Sequence, residues 1–289
     1  MVVITQQQAA EQLSPVFAGR KGKMLFHLAT RLTGIDKVND IHDRVDKAGT
    51  PWGPAFAKGI LDGVGVDFRI GNPERLETLP EGAFIVIANH VYGHLDGICL
   101  LDVFGHVRPD TKVMVNEMLI WIHGLSPNFI AVNPTVTERT GASATSINGV
   151  KNALLQLRSG EPLCLFPSGA VADVKPKEHW TLSERDWQDA AIRLIKKARV
   201  PVVPVRFFDR NTRFYYALGL IDYRLRFVRL FHELFNKPGT CPRMGIGPVI
   251  SVEEQEKHTD LQEFKAFLRS SVYDMPLPES FTNRSELWK

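Results

Sequence analysis

The feature that most constrains the fold is a short apolar run, residues 83–88 (AFIVIA), that ends abruptly in a polar segment, residues 89–97 (NHVYGHLDG). An uncharged run rich in β-branched residues predicts a strand buried on both faces, as in a parallel sheet. Apolar residues resume between Ile98 and Phe104, which predicts a helix directly after the polar segment. A histidine and an aspartate are therefore expected at the carboxyl end of a buried strand, where ligand sites of open α/β sheets gather.

Two further apolar runs have the same character. Residues 162–166 (PLCLF) end at Pro167, and residues 200–205 (VPVVPV) end at Arg206. Further strands are expected at residues 112–116, 129–132 and 244–250, and helices at residues 141–158, 185–198 and 261–272. Alternation of strands and helices predicts an α/β fold with a mixed, mostly parallel sheet flanked by helices.

The chain is expected to divide into three parts. Residues 1–50 form an N-terminal amphipathic helical segment, residues 51–275 form the α/β domain, and residues 276–289 form a C-terminal tail. In the first part, basic residues at positions 20, 21 and 23 precede an apolar stretch between Met24 and Leu32. Such a helix either lies on an anionic membrane surface or packs its apolar face on the core, and the sequence leaves both open.

Composition and charge exclude several classes of protein. A formal net charge of only +3 argues against a dedicated nucleic-acid-binding protein. The cysteines, Cys99, Cys164 and Cys241, are widely spaced, so reduced thiols are expected rather than a zinc site or a disulfide framework. No apolar run is as long as a membrane span, and residues 1–12 lack the pattern of a signal peptide. We therefore expect a cytoplasmic protein that is peripheral on the inner face of the cell membrane.

Several motifs occur in an order that is typical of one family. Asn89 and His90 are followed after five residues by Asp96, then come LFPSG at residues 165–169 and VPVVPV at residues 200–205. This order resembles the glycerolipid acyltransferase superfamily, which includes the 1-acylglycerol-3-phosphate acyltransferases. The stretches TLSERDW and LFHELFNK, which begin at positions 181 and 230, resemble its bacterial haemolysin-like and ornithine-lipid branch. The resemblance covers roughly residues 60–255 and implies a glycerol-3-phosphate acyltransferase-like fold.

The chemistry of acyl transfer suits the His–Asp pair. His90 is the predicted general base, and Asp96 is the carboxylate that orients it and stabilises the imidazolium. In a structural interpretation, the same two residues only cap a turn and a helix. His90 and His94 also have a spacing possible for metal ligands, but Val91 stands where the HExxH motif has its Glu, so we expect no metal and treat His94 as a pocket wall.

Other residues are expected to bind substrate because they lie in the motifs or close to them. They are Asn89, His94, Asn116, Phe166, Pro167, Ser168, Gly169, Lys175 and Arg206. Backbone amides near residues 167–170 are expected to hold the oxyanion. A serine hydrolase with Ser168 as nucleophile is disfavoured, because Phe166 stands where a nucleophile elbow has glycine.

Two departures from the family's pattern bear on the acceptor. The resemblance implies a Glu at the position of Ser168, followed by an Arg, and another Arg at the position of Asn133. Their loss favours an acceptor without a phosphomonoester, because phosphate recognition relies on Arg forks. Lys175, Lys177 and Arg139 are alternative cations that compensate if they reach the site.

The resulting prediction is an O-acyltransferase that works without a cofactor. It transfers a fatty acyl chain from acyl-CoA or acyl-carrier protein to the hydroxyl of a lysolipid, either a lyso-aminoacyl lipid or a lysophospholipid. The alternatives are an amine N-acyltransferase on the same fold and a lipid-binding protein without catalytic activity.

Overall fold

The computed structural model describes residues 5–12, 15–133 and 143–287. Its centre is an eight-stranded sheet, accompanied by a separate two-stranded hairpin. The strands are β1 (Arg69–Gly71), β2 (Ile85–Ala88), β3 (Lys112–Asn116), β4 (Phe129–Val132), β5 (Leu163–Leu165), β6 (Asp173–Lys175), β7 (Thr181–Ser183), β8 (Val202–Phe207), β9 (Arg243–Ile246) and β10 (Phe281–Asn283). In the large sheet their order is β10-β1-β9-β8-β2-β5-β3-β4, and β6 pairs with β7.

The pairing confirms a mixed, mostly parallel sheet. Strand β2 lies between β5 and β8 and is parallel to both, with Ile85 opposite Leu163 and Ala88 opposite Val205. Only β9 against β8 and β10 against β1 run antiparallel among the described strands of this sheet. The carboxyl ends of β2, β3, β5 and β8 therefore meet at one edge.

Helices cover both faces of the sheet. The helices are α1 (Gln6–Gln12), α2 (Gly19–Thr33), α3 (Ile35–Lys47), α4 (Pro54–Val64), α5 (His94–Val107), α6 (Ala144–Arg158), α7 (Asp189–Ala198), α8 (Arg213–Ile221), α9 (Tyr223–Phe235), α10 (Val252–Glu256), α11 (Leu261–Tyr273) and α12 (Arg284–Leu287). Val86 of β2 packs in one core cluster, with side chains of α4 and α5. Ile85 and Ile87 pack in a second cluster, with side chains of α7 and α11. Burial of alternate residues on opposite faces explains the uninterrupted apolar run of this strand.

The N-terminal segment is helical, as predicted, and its helices differ in how they meet the core. Ile41 and Val45 of α3 belong to the core cluster of α4 and α5. By contrast, α2 leaves Met24, Leu28 and Leu32 exposed, while it contacts α3 and α9. Among the residues that the structure describes, no helix combines the length and apolarity needed to span a bilayer.

The C-terminal segment that the sequence separates as a tail is built into the sheet. Its strand β10 pairs with β1, and the side chain of Arg284 in α12 is buried. The Arg284 guanidinium forms ion pairs with the carboxylates of Asp62 and Asp102. A buried cation needs such partners, so these pairs anchor the chain end to α4 and α5.

Candidate active site

The loop between β2 and α5 brings the predicted pair together. His90 Nδ1 lies 2.8 Å from Asp96 Oδ2, and the Asp96 side chain is completely buried. The same Asp96 oxygen accepts hydrogen bonds from the backbone N–H groups of Tyr92, at 2.8 Å, and Gly93, at 3.0 Å. Three donors on one carboxylate oxygen fix the position of the Asp96 side chain against the imidazole.

The five residues between His90 and Asp96 are accommodated by a left-handed turn at Gly93. Its φ is 87°, and it precedes the first residue of α5. A Cβ at this position would also lie 2.9 Å from the Leu230 side chain of α9. Glycine is therefore required for both backbone conformation and space. Because Asp96 lies in the first turn of α5, its charge also interacts favourably with the helix dipole.

The His90 ring is held in place and remains partly accessible. It stacks on the Phe166 ring that follows β5, with the ring centroids 4.2 Å apart and the planes at 25°. The His90 side chain is 18% exposed, whereas Asp96 behind it is not. Since Nδ1 is engaged with the carboxylate, Nε2 is the nitrogen left to take a proton from a substrate.

Three polar side chains that the sequence did not identify as a group fix the backbone of this loop. Asn89, one of the predicted binding residues, exchanges two hydrogen bonds with the backbone of Phe207 at the end of β8. Asn211 Nδ2 donates to the carbonyl oxygens of Val91 and Tyr92, at 3.2 and 3.3 Å. The Glu184 carboxylate accepts the backbone N–H of His90. Glu184 lies in the TLSERDW stretch, but its role depends on a contact across 94 residues that a local pattern does not reveal.

The turn after β5 lies beside the loop between β2 and α5, where Ala172 N–H donates to the carbonyl oxygen of His90 at 2.8 Å. Within this turn, Gly169 N–H donates a hydrogen bond to the Phe166 carbonyl oxygen at 3.0 Å. Ala170 N–H makes only a long contact of 3.5 Å with Ser168 Oγ. Because this N–H is weakly bonded within the turn, it is the better candidate for an oxyanion donor. Ser168 is only 1% exposed, and its hydroxyl donates to the Ala170 carbonyl oxygen, so it is placed as a buried turn residue rather than a nucleophile.

His94 occupies a different environment from His90. Its ring stacks on Phe231 of α9, with centroids 4.4 Å apart. Burial, followed by the neighbouring His90, lowers the pKa of His94 to about 4, so the ring is neutral at physiological pH. Its Nδ1 has no hydrogen-bond partner among the described residues. Within residues 5–12, 15–133 and 143–287, no group of three His, Cys, Asp or Glu residues is arranged to hold a metal ion.

The other predicted binding residues have partners outside the His90–Asp96 pair. Asn116 ends β3, and its Oδ1 accepts the backbone N–H of Met118. Lys175 lies on the β6–β7 hairpin, 3.4 Å from Glu178. Pro167 accepts the backbone N–H of Gln188 through its carbonyl oxygen. The structure thus brings Phe166, Pro167, Ser168 and Gly169 together next to His90, but shows no contact between His90 and Asn116 or Lys175.

Two predictions concern cations that could meet a phosphate. Asn133, at the position where the family has an arginine, donates its side-chain N–H to Glu117 at 2.9 Å. An adjacent carboxylate makes this position unfavourable for a dianion. The proposed compensating Arg139 lies outside the described residues.

A cavity of about 680 Å³ lies on the β8 side of the loop between β2 and α5. Its wall includes Asn89, Glu184, Arg206, Asn211 and Lys237. Arg206 Nη1 donates to the carbonyl oxygen of Met275. Lys237 is buried, and burial lowers its pKa although its ammonium group contacts Glu233 at 3.1 Å. The cavity wall therefore combines three cations, Arg206, Arg210 and Lys237, with the carboxylates of Glu184 and Asp209, next to the loop that carries His90.

Comparisons with known proteins show what the chain is similar to. A family model described as Acyltransferase matches residues 68–207, which include both His90 and Asp96. Two curated relatives are named lyso-glycine lipid O-acyltransferase. The one from Bacteroides thetaiotaomicron is 27% identical over 76% of this chain and 84% of its own length. The one from Phocaeicola vulgatus is 26% identical over 76% of this chain and 81% of its own length. A crystal structure of the 1-acyl-sn-glycerophosphate acyltransferase PlsC from Thermotoga maritima is 15% identical, with a TM-score of 0.47 over 76% of this chain and 75% of that one.

Proposed function

We propose that the chain, which is an acyltransferase and resembles the glycerolipid acyltransferase superfamily, transfers a fatty acyl chain from a thioester to the hydroxyl of a lysolipid. The donor in this proposal is acyl-CoA or acyl-carrier protein, and no cofactor takes part. The single observation that carries the proposal is the 2.8 Å contact between His90 Nδ1 and the buried Asp96 carboxylate, with the imidazole partly exposed.

In the proposed mechanism, His90 Nε2 accepts the proton of the acceptor hydroxyl as the oxygen attacks the thioester carbonyl. Asp96 stabilises the imidazolium that forms. The negative charge that develops on the carbonyl oxygen needs a donor, and Ala170 N–H is our candidate. Collapse of the tetrahedral intermediate forms the ester bond and breaks the carbon–sulfur bond. The departing thiolate then takes the proton from His90, which returns the base to its starting state.

The acceptor is proposed to be a lysolipid without a phosphomonoester, such as a lyso-aminoacyl lipid. The two relatives are named for a lyso-glycine lipid, which supports this choice. Ser168 and Asn133 replace charged residues of the family's pattern, and Glu117 contacts Asn133. The cavity wall has three cations, Arg206, Arg210 and Lys237, against the two carboxylates of Glu184 and Asp209. This small excess of positive charge suits a polar head group with a single negative charge better than a dianion.

We also propose that the enzyme works as a peripheral protein on an anionic membrane surface. Met24, Leu28 and Leu32 are exposed at helical spacing on α2, with exposed fractions of 75%, 54% and 63%. The basic residues at positions 20, 21 and 23 occupy the start of the same helix. On α8, Phe214 and Ile221 are also exposed. Apolar side chains beside basic residues are typical of helices that insert into the head-group region of anionic bilayers.

The proposed reaction is tested by incubating the purified protein with an acyl-CoA and a panel of acceptors of matched acyl chain length. The panel contains a lyso-glycine lipid, lysophosphatidic acid and a primary amine, and the readouts are free thiol and acylated product. We expect ester formation with the highest kcat/KM on the lyso-glycine lipid. A higher kcat/KM on lysophosphatidic acid would overturn the choice of acceptor, and an amide product would favour the N-acyltransferase. Lipid binding without thiol release would favour a non-catalytic lipid-binding protein.

A further inference from the structure

A second buried carboxylate lies behind the proposed catalytic histidine. Glu184 is only 2% exposed and is followed closely in the chain by the fully buried Trp187. Its Oε1 accepts the backbone N–H of His90. Its Oε2 accepts Trp187 Nε1 at 3.3 Å and the Tyr273 hydroxyl at 2.6 Å. The carboxylate thus joins the catalytic loop to the β7–α7 connection and to α11.

The three partners define the charge state that the site requires. Each of them donates, because a backbone N–H and an indole N–H have no alternative role and the Tyr273 hydroxyl can direct its proton to the carboxylate. An ionised carboxylate accepts from all three donors as they stand, whereas a protonated one has to donate its own hydrogen and requires the Tyr273 hydroxyl to turn and become the acceptor. The hydrogen-bond donors around Glu184 therefore favour the ionised carboxylate.

Two opposing influences act on this carboxyl group. Burial is the larger and raises the pKa of Glu184, while the hydrogen bonds from Tyr273, His90 and Trp187 lower it. A buried anion costs several kcal/mol unless it is satisfied in this manner. Such a group is unnecessary for packing alone, since an apolar residue would fill the same space without this cost.

We infer that Glu184 is a positioning residue for acyl transfer: it holds the backbone of His90 in register with Asp96, and its negative charge stabilises the imidazolium formed during the reaction. The inference rests on the proposed role of His90 as general base. Asp96 stabilises the imidazolium through Nδ1, and Glu184 does so from the side of the main chain. The two anions, Asp96 and Glu184, stabilise the imidazolium of His90 more than Asp96 alone would, because a low-dielectric interior screens charges weakly.

The other charged and titratable groups that face this pair come from several elements. Asp96 in α5 contacts the His90 ring, and Tyr273 in α11 contacts Glu184. The guanidinium groups of Arg206 in β8 and Arg269 in α11 act on Tyr273, and Arg269 lies 4.6 Å from the centroid of its ring. These cations are unchanged in the variants chosen below.

The inference is tested with two variants that change the carboxylate in opposite ways. Glu184→Gln keeps the size of the side chain and removes its charge. Tyr273→Phe keeps the charge and removes one donor. The pH dependence of kcat/KM is measured for the full chain, with an acyl-CoA and a lyso-glycine lipid, by quantifying the ester product.

For Glu184→Gln we expect kcat to fall about tenfold or more, with KM within about threefold of the original value. The acid limb of its pH profile should move to lower pH, because this variant has no carboxyl group to protonate and the base no longer faces the anion. For Tyr273→Phe we expect the acid limb to move to higher pH, because loss of a donor makes Glu184 easier to protonate. A purely structural anchor would move neither limb.

Controls separate this inference from the proposed mechanism. Glu279→Gln, on the exposed surface, should leave the profile unchanged. Activity retained in His90→Ala would overturn the general base and this inference together. An inactive His90→Ala with an unshifted acid limb in both Glu184→Gln and Tyr273→Phe would overturn this inference alone. If Glu184→Gln fails to fold, as judged by circular dichroism, Tyr273→Phe alone tests the inference. An acid limb at higher pH in that variant would support the inference, and an unshifted acid limb would overturn it.

Discussion

Replacement of Asp96 by Asn isolates the charge that orients the proposed base. The carbonyl oxygen of Asn can keep the backbone N–H groups of Tyr92 and Gly93 as donors, at the position where Asp96 Oδ2 accepts them at 2.8 and 3.0 Å. It can also accept from His90 Nδ1, so the geometry survives while the negative charge is lost. We expect kcat/KM to fall by about 10²- to 10⁴-fold, the range for an unsupported general base. That range corresponds to about 3–5 kcal/mol of transition-state stabilisation.

The same variant should change stability far less than activity. Asp96 Oδ1 is buried and has no hydrogen-bond partner among the described residues, so the amide NH₂ of Asn would be left unsatisfied there. A buried unsatisfied donor costs about 1–3 kcal/mol. For a protein of this size, each kcal/mol lowers Tm by roughly 2–4 °C. The variant should therefore be folded at assay temperature, which a thermal melt checks.

Steady-state kinetics with an acyl-CoA and a lyso-glycine lipid measure the effect, with Asp40→Asn as the matched control. Asp40 is exposed and forms an ion pair with Arg44 at 3.2 Å, an interaction that contributes little. We expect the loss in Asp96→Asn to reside in kcat, because the carboxylate acts on the base and not on the substrate. A kcat/KM within about threefold of the control, in a folded protein, would refute the role given to Asp96.

Two further predictions follow from the surroundings of the site. His94→Ala should lower kcat/KM less than about tenfold, with no effect of a chelator; a loss as large as in His90→Ala, together with sensitivity to the chelator, would indicate a metal site. Replacement of the exposed Met24, Leu28 and Leu32 by Ser should weaken sedimentation with anionic vesicles at least about tenfold while Tm stays within a few degrees. Unchanged sedimentation would exclude this helix as the membrane contact.

The sequence predicted the strands that carry the site because their signals are local. Strands β3 and β4 have the predicted bounds, and β2 is buried throughout as its apolar run indicates. The His90–Asp96 contact was also predictable, since both residues lie in one short loop between a buried strand and a helix. Each of these features depends on residues that are close in the chain.

Long-range features were not predictable in the same way. Strands β1 and β10 have three residues each, too few for a periodic pattern, and they are formed by pairing at the edge of the sheet. The predicted start of α7 at residue 185 is four residues early, because residues 185–188 are not helical and Trp187 is buried in the core. The contacts of Asn211 and Glu184 with the loop between β2 and α5 join residues that are 119 and 94 positions apart in the chain, so only the folded chain reveals them.

The measurement that tests the central claim most directly is acyl transfer by His90→Ala. The purified variant is compared with the original protein and with His123→Ala, an exposed histidine, for thiol release and ester formation on a lyso-glycine lipid. We predict that His90→Ala lowers kcat by at least about 100-fold, while it still binds the acceptor and keeps its fold. Ester formation by a folded His90→Ala at a rate close to that of His123→Ala would contradict the claim that His90 is the general base.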